Sequence, residues 1–432
     1  MSKHSIGVGL IGIGVIGGAV ARGLRDRADA LSAQIGCPVE LKRVKVALQD
    51  MTRPIISEFP QDIFTTDDEE FFNTHGLDII VEAMGGEYPA FDYLSRALSS
   101  GRHVVSSNKE VIAKHAVELL ALAHKHNVGL RFEASVGGGI PLLGPLQYDL
   151  SANNIKGIYA IINGTTNYIL SQMDTEGIEF AEALRQAQEL GYAERNPAND
   201  IEGYDSVYKL AIMAMLVFHT EFKPDDIHRE GITQLEVKDF KYAKELGFVI
   251  KLLAIAKADD GEVELRVHPV FLPQENFLAK VDGVYNAALI NGDLVGDVIF
   301  SGEGAGASAT SSAVIADILS AAQDTALGVG NRMRWRFDDN RRLLPMADVV
   351  TQYYFRLTVT DQPGVLADIA AIFKDNAISI ASVLQKEVDE AAIKAEVVIM
   401  SHLAQESAVR RAVEALQLLE TIKAVNIIRV GI

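Results

Sequence analysis

The stretch "GLIGIGVIGG", Gly9 to Gly18, decides how the N-terminal third of the chain is read. Gly12-x-Gly14-x-x-Gly17 has the spacing of a dinucleotide fingerprint. Its first glycine makes a tight turn, its second admits a pyrophosphate close to the backbone, and its third packs helix against strand. An apolar run (Ile6, Val8, Leu10) leads into it, and a run able to form helix (Ala19 to Leu24) leads out. Strand, glycine turn and helix in that order are the context the motif needs. Gly12, Ile13, Gly14, Val15, Ile16 and Gly17 are therefore expected to cradle a dinucleotide.

Working outward, short apolar runs alternate with helical stretches up to about residue 140. Strands are expected over Ile6–Ile11, Val44–Leu48, Asp78–Ala83, His103–Ser106 and Leu130–Glu133. Between them lie the helical segments "EYPAFDYLSRALSSG" and "KEVIAKHAVELLALAHKHN". Such alternation predicts an α/β, Rossmann-like, doubly wound parallel sheet, with ligands beyond the carboxyl ends of its strands.

From 141 to 310 the pattern changes to an α+β region. It holds "NGTTNYIL", "FAEALRQAQELG", "YAERNPANDIEGYDSVYKLAIMAMLVFH", the β-rich "VELRVHPVFL" and the glycine-dense "VIFSGEGAGASATSSAVIADIL". The last reads as strand, loop and helix, and its helix, about 305–330, is expected to complete the nucleotide domain. Residues 331–350 are charged and aperiodic, and read as a linker. The tail, 352–432, has the order βαββαβ of a ferredoxin-like unit and reads as compact by itself.

At 432 residues the chain is long enough for about three domains. A formal charge of -18 argues against nucleic acid and anionic membrane surfaces, both of which call for basic patches. The one cysteine, Cys37, cannot form an intramolecular disulfide. Six of the fifteen residues from Ile6 to Val20 are glycine, which is wrong for a signal-peptide core, and no apolar run of about 18 residues exists. A cytoplasmic location is expected. His124 and His126 do not share a helix face, and no HExxH or Cys/His spacing occurs, so a transition-metal site is not expected.

Three stretches offer chemistry. "SSNKEV" places Lys109 just past a strand's carboxyl end, with Asn108 as helix N-cap. "DIEGYDSVYKL" puts Asp205 and Lys209 four apart at the entrance of a helix that is then apolar nearly all round. Glu194, Asp200 and Glu202 crowd the same region. Carboxylates and a lysine at a buried helix entrance suggest a site that binds an amine and manages a proton. "EASVGGGIP" (Glu133 to Pro141) is either a second anion cradle or a set of carbonyls facing a cation, with Glu133 as a hard oxygen ligand.

Together, "GLIGIGVIGG", "SNKEV", "EASVGGGIP", "NGTTNYIL", "GYAERNPANDIEGYDSVYKL", "SGEGAGASATSSAVIADI" and "DQPGVLADIA" resemble homoserine dehydrogenase in the form carrying a C-terminal regulatory ACT domain. The resemblance runs over essentially the whole chain. It implies reversible hydride transfer between NAD(P)H and L-aspartate 4-semialdehyde, giving L-homoserine, in threonine, methionine and isoleucine biosynthesis. By it, Lys209 is the general acid/base and Lys109 its companion. Glu194 and Asp205 hold the substrate amino group, Asp205 also orients Lys209, and Thr165 and Asp200 lie in the substrate-contacting segment. Gly302 joins the cofactor contacts. Glu133 with the carbonyls of Val136, Gly138 and Ile140 matches a monovalent cation site, usually sodium. Where many members carry an arginine for a 2'-phosphate, this chain has Gln49. Asp50 next to it suits a ribose hydroxyl and Arg53 a phosphate, so the residues leave both NAD and NADP open.

The tail resembles ACT domains, which pair side by side and bind amino acids near a Pro-Gly turn. Asp361, Pro363, Gly364 and Val365 would form that effector site, with L-threonine implied as feedback inhibitor, and a homo-oligomer (dimer or tetramer) is implied. A non-catalytic amino-acid sensor built from the same two modules is the rival reading. It would not need Glu194, Asp205, Lys209 and Lys109 together.

Overall fold

The structure is a computed structural model describing residues 4–332, 337, 341–389 and 394–431. Parts of the expected linker, and the first residues of "AIKAEVVIMSH", lie outside the described residues. The chain forms two compact units, the first from Met1–Ile155, Tyr208–Asp226 and Tyr285–Asn340, the second from Lys156–Val207, Ile227–Val284 and Arg341–Ile432.

In the first unit a six-stranded parallel sheet runs in the order Phe64–Thr65, Val39–Lys45, Ile6–Ile11, Ile79–Glu82, His103–Ser106, Leu130–Arg131. This is the doubly wound order whose switch point falls between Ile6–Ile11 and Ile79–Glu82. The three central strands are buried on both faces, which is why they read as near-continuous apolar runs. Two expected strands differ in place. The second runs over Val39–Lys45 rather than Val44–Leu48, because Glu40, Lys42 and Arg43 sit on a part-exposed strand and hide its periodicity. The last ends at Arg131, and Glu133 stands in a 3-10 turn, Glu133–Ser135.

Helix Lys109–Lys125 is capped by Asn108, whose side chain accepts from the Val111 N–H, and buries Val111, Ile112, Ala116, Leu119, Leu120 and Ala123 along one stripe. Helix Ala307–Leu327 returns to this unit and puts Val314, Ile318, Ala321 and Ala322 into the core beside Ile6, Val8 and Leu10. Each Val, Leu or Ile among them contributes roughly 1.5–3 kcal/mol when fully buried. An antiparallel hairpin, Tyr285–Gly292 with Gly296–Glu303, precedes it.

In the second unit the sheet order is Ile155–Ile161, Phe248–Asp259, Glu262–Pro273, Ile422–Val430, Val350–Thr360, Lys394–Ser401, Ile380–Asp389. The last four strands, with helices Val365–Asp375 and Glu406–Gln417, make the expected βαββαβ unit around a core of Phe355, Leu357, Phe373 and Val409. That tail does not stand by itself, however. Its final strand pairs in parallel with Glu262–Pro273, Val270 opposite Arg429 and Phe271 opposite Val430, so one sheet continues from the middle region into the tail.

Candidate functional site

The glycine cradle has the geometry its spacing requires. Gly12 has φ +94°, and a Cβ there would lie 2.7 Å from the Ala83 carbonyl oxygen. A Cβ on Gly17 would meet the Gly12 carbonyl oxygen at 2.1 Å, so strand and helix approach at backbone distance. Gly14 faces open space and is the N-cap of helix Val15–Asp26, with no side chain capping its first N–H groups. Unsatisfied amides at an open helix start form an anion site, which fits a pyrophosphate. Ile13 is buried behind this turn, Val15 is exposed and Ile16 half-buried. Past the second strand, Arg53 Nε donates to Asp50 Oδ1 at 2.6 Å. The two residues expected to choose between a ribose hydroxyl and a 2'-phosphate are thus one exposed ion pair. Cys37 lies before strand Val39–Lys45, away from the carboxyl ends.

Lys109 begins its helix directly after strand His103–Ser106. Behind it stands Glu82, the fully buried last residue of strand Ile79–Glu82. Its carboxyl accepts from Ser106 Oγ (2.6 Å) and the Met84 N–H (2.7 Å). Asn108 in turn donates its N–H to Ser106 Oγ and its Nδ2 to the Gly86 carbonyl. The helix carrying Lys109 brings Lys114 near Tyr208, the residue before Lys209. Lys114 Nζ, held by Glu87 (2.7 Å) and Glu110 (2.8 Å), lies 5.8 Å from the ring centre of Tyr208. Burial would lower the Lys114 ammonium, but those two carboxylates hold it above its usual range.

In the second unit Asn163 joins the expected acidic residues. It caps helix Gly164–Glu176, its Oδ1 accepting from the Thr166 N–H at 2.8 Å. Its Nδ2 donates to both Asp200 Oδ1 (2.7 Å) and Asp205 Oδ2 (2.9 Å). Two carboxylates thus converge on one neutral amide, a set of acceptors of the kind that binds an ammonium. Thr165, next in the same turn, gives its hydroxyl to the Tyr192 carbonyl at 2.6 Å. Glu194 is exposed, its main-chain carbonyl accepting from Gln188. Asp205 and Lys209 are both buried, one turn apart on helix Tyr204–Phe218. Sequence reasoning passed over Asn163, Glu82 and Tyr208. A polar residue opening "NGTTNYIL", and an acid closing the apolar run "DIIVE", were the signals available.

Glu133 has both carboxylate oxygens engaged, accepting from the N–H groups of Leu142 (2.6 Å), Leu143 (2.9 Å) and Gly144 (2.6 Å). Burial pushes this carboxyl up while those amides pull it down, with a net rise. Gly137 (φ +74°) and Gly138 (φ +58°) turn the loop, and the Gly139 N–H binds the Glu303 carbonyl beside Gly302. Among the described residues no donor reaches the carbonyls of Val136, Gly138 or Ile140. Three carbonyls without donors suit a hard monovalent cation, whereas the Glu133 carbonyl accepts from the Val136 N–H at 3.3 Å. Among the described residues no cluster of three or more His, Cys, Asp or Glu could hold a metal.

The homoserine dehydrogenase NAD-binding domain profile matches residues 12–133, the homoserine dehydrogenase profile 141–319 and the ACT domain profile 353–420. A homoserine dehydrogenase of Neisseria gonorrhoeae is 38% identical over 430 residues, 98% of either chain. The chain belongs to the homoserine dehydrogenase family. The crystal structure of such an enzyme from Thiobacillus denitrificans superposes with a TM-score of 0.91 at 37% identity, covering 99% of this chain and 98% of that one. A hyperthermophilic archaeal homoserine dehydrogenase in complex with NADPH matches 73% of this chain and 97% of its own, with a TM-score of 0.62 and 28% identity.

Membership carries the activity. The protein is an NAD(P)-dependent oxidoreductase that interconverts L-aspartate 4-semialdehyde and L-homoserine. The sensor reading is thereby set aside. No helix among the described residues is long and apolar enough to cross a membrane.

Proposed function

We propose that the residues assembled here divide the homoserine dehydrogenase reaction as follows. Asp205 and Asp200, bridged by Asn163, bind the substrate ammonium, with Glu194 closing over it from the exposed side. Thr165 presents a hydroxyl in the same turn. Lys209 protonates the carbonyl oxygen as it gains negative charge, and in the reverse direction takes that proton back. Lys109, on the neighbouring helix, supplies a second positive charge to the same oxygen. The observation that carries this division is Asn163 holding two carboxylates beside the helix that bears Lys209.

The nicotinamide dinucleotide, held by Gly12 to Gly17 and by Gly302, supplies or accepts the hydride. Because Arg53 already lies beside Asp50, the pair can open toward a 2'-phosphate or stay closed beside a free hydroxyl, and both NAD and NADP are accepted. Sodium or another monovalent cation is held by Glu133 with the carbonyls of Val136, Gly138 and Ile140. At the tail, Gly364 (φ +98°) opens helix Val365–Asp375 without a side-chain cap. With Asp361, Pro363 and Val365 it receives the carboxylate of a small amino acid, L-threonine, as feedback inhibitor. The enzyme works in the cytoplasm, in the biosynthesis of threonine, methionine and isoleucine, as a homo-oligomer.

The test is oxidation of L-homoserine by the purified protein with NAD and NADP in parallel, in sodium and in potassium, with and without L-threonine. Turnover with both cofactors and inhibition by threonine support the reading. Turnover that threonine leaves untouched refutes the effector assignment alone.

A further inference from the structure

Strand Ile79–Glu82 is apolar until its last residue, and that residue is fully buried. A buried carboxyl is costly unless its oxygens are satisfied and its charge is met. The first condition is fulfilled. Asn108 gives its N–H to Ser106 Oγ (3.1 Å), so the Ser106 hydroxyl hydrogen is free to point at Glu82 Oε2 (2.6 Å). The Met84 amide, which can only donate, takes Glu82 Oε1 (2.7 Å). The Met84 amide can only donate and the Ser106 hydroxyl is able to donate, so both oxygens of an ionised carboxylate have a donor here. The second condition is not fulfilled. Glu82 makes no ion pair among the described residues, and burial pushes its carboxyl up with only hydrogen bonds from Ser106, Met84 and Asn108 opposing.

The fold says where the missing charge comes from. The switch point lies between Ile6–Ile11 and Ile79–Glu82, and Ala83, the next residue, packs under Gly12. Asp50, which follows the second strand, marks the adenosine half on the other side of Ile6–Ile11. The nicotinamide half therefore falls on the side of Glu82. An oxidised nicotinamide ring carries one positive charge and a reduced ring none. We propose that Glu82 is the buried counter-charge of the oxidised nicotinamide, favouring NAD(P)+ over NAD(P)H and stabilising the positive charge that grows on the ring as hydride leaves it. This rests on the dinucleotide cradle at Gly12 to Gly17.

The experiment is a pair of binding titrations without substrate, NADPH by its fluorescence and NADP+ by competition, on the wild type, Glu82→Gln and Glu82→Asp. Glu82→Gln is expected to weaken NADP+ on the order of tenfold and NADPH by less than about twofold. Glu82→Asp, which keeps the charge, is expected to preserve the wild-type ratio of the two affinities even where both fall. Equal losses of both forms in Glu82→Gln would reduce Glu82 to a structural strut and overturn the proposal. So would a changed ratio in Glu82→Asp, which also decides the matter should the glutamine variant not fold. Failure of the wild type to bind either form would instead overturn the cradle.

Discussion

Asp239 Oδ1 accepts a hydrogen bond from Arg356 Nε at 2.7 Å, with neither side chain reaching solvent. Asp239 lies on helix Val237–Glu245 of the middle region, and Arg356 on the first strand of the ACT tail. Asn426 (2.7 Å) and Tyr354 (3.2 Å) from the same sheet also donate to Asp239, while Lys238 and Tyr242 on the same helix reach Glu396, both at 2.5 Å. A face that an isolated ACT unit would expose is sealed by a helix through charge-assisted bonds.

Among the described residues, removing Asp239 leaves the buried Arg356 guanidinium with only the exposed Glu236 (3.0 Å) and the more distant Glu396 (4.0 Å) as partners, so its charge is met far less well. Asp239→Ala is expected to cost about 3–5 kcal/mol. Chemical denaturation of the full chain measures this. Replacing Asp239 and Arg356 together with apolar residues is expected to restore much of the loss, because the cost comes from the unpaired charge rather than from a missing bond.

Asn163 has two tasks that one substitution separates. Asn163→Asp keeps a helix-capping oxygen but places a third carboxylate against Asp200 and Asp205. Asn163→Ala loses the cap, worth about 1 kcal/mol, as well as the bridge. Both variants are expected to raise the KM for homoserine by roughly tenfold or more, since hydrogen bonds to charged groups are worth about 1.5–3 kcal/mol. Only the alanine variant should lose the cap's share of thermal stability. Steady-state kinetics beside thermal melts distinguish the two tasks.

Gly14 and Gly17 differ although they belong to one motif. Gly14 has φ −67° and open space around it, so Gly14→Ala is expected to fold with a loss of at most about 0.5 kcal/mol, yet to bind NADPH more weakly. At Gly17 the added methyl meets backbone at 2.1 Å, and Gly17→Ala is expected to cost about 1–3 kcal/mol of stability. NADPH titration and urea denaturation read the two effects.

His268 makes stability depend on pH. It is fully buried, its Nε2 2.7 Å from Arg266 Nη1 and its Nδ1 2.8 Å from the Pro269 carbonyl, which makes it a neutral ring that donates from Nδ1. Burial, then the charges of Arg429 and Arg266, hold its pKa well below the usual 6.5. The folded state thus refuses a proton that the unfolded chain accepts. Its contribution is whole above pH 6.5 and is lost progressively as pH falls below that value toward the depressed pKa. Urea midpoints between pH 8 and 5 are expected to fall in the wild type and to fall less in His268→Asn.

The parts of the fold legible in the sequence were those settled by neighbours in the chain. Strand Ile6–Ile11, the glycine turn after it, His103–Ser106 and the βαββαβ tail follow from local periodicity and turn residues. Strand Val39–Lys45 was misplaced, because its side chains mix buried and charged positions. Asp205 and Lys209 stood out as charges opening an apolar helix. Glu82 and Asn163 did not, since their importance comes from partners: Ser106 for Glu82, and Asp200 and Asp205 for Asn163. The join between ACT tail and middle region was illegible for the same reason, as Asp239 and Arg356 are 117 residues apart.

The central claim is that Lys209 moves the proton in the homoserine dehydrogenase reaction. Turnover of L-homoserine by Lys209→Ala, measured beside its NADPH affinity and melting curve, tests this directly. The account predicts a fall in kcat of about 10²–10⁴-fold with cofactor binding and folding unchanged. A variant retaining kcat within about threefold of wild type, well short of that range, would place the proton transfer elsewhere.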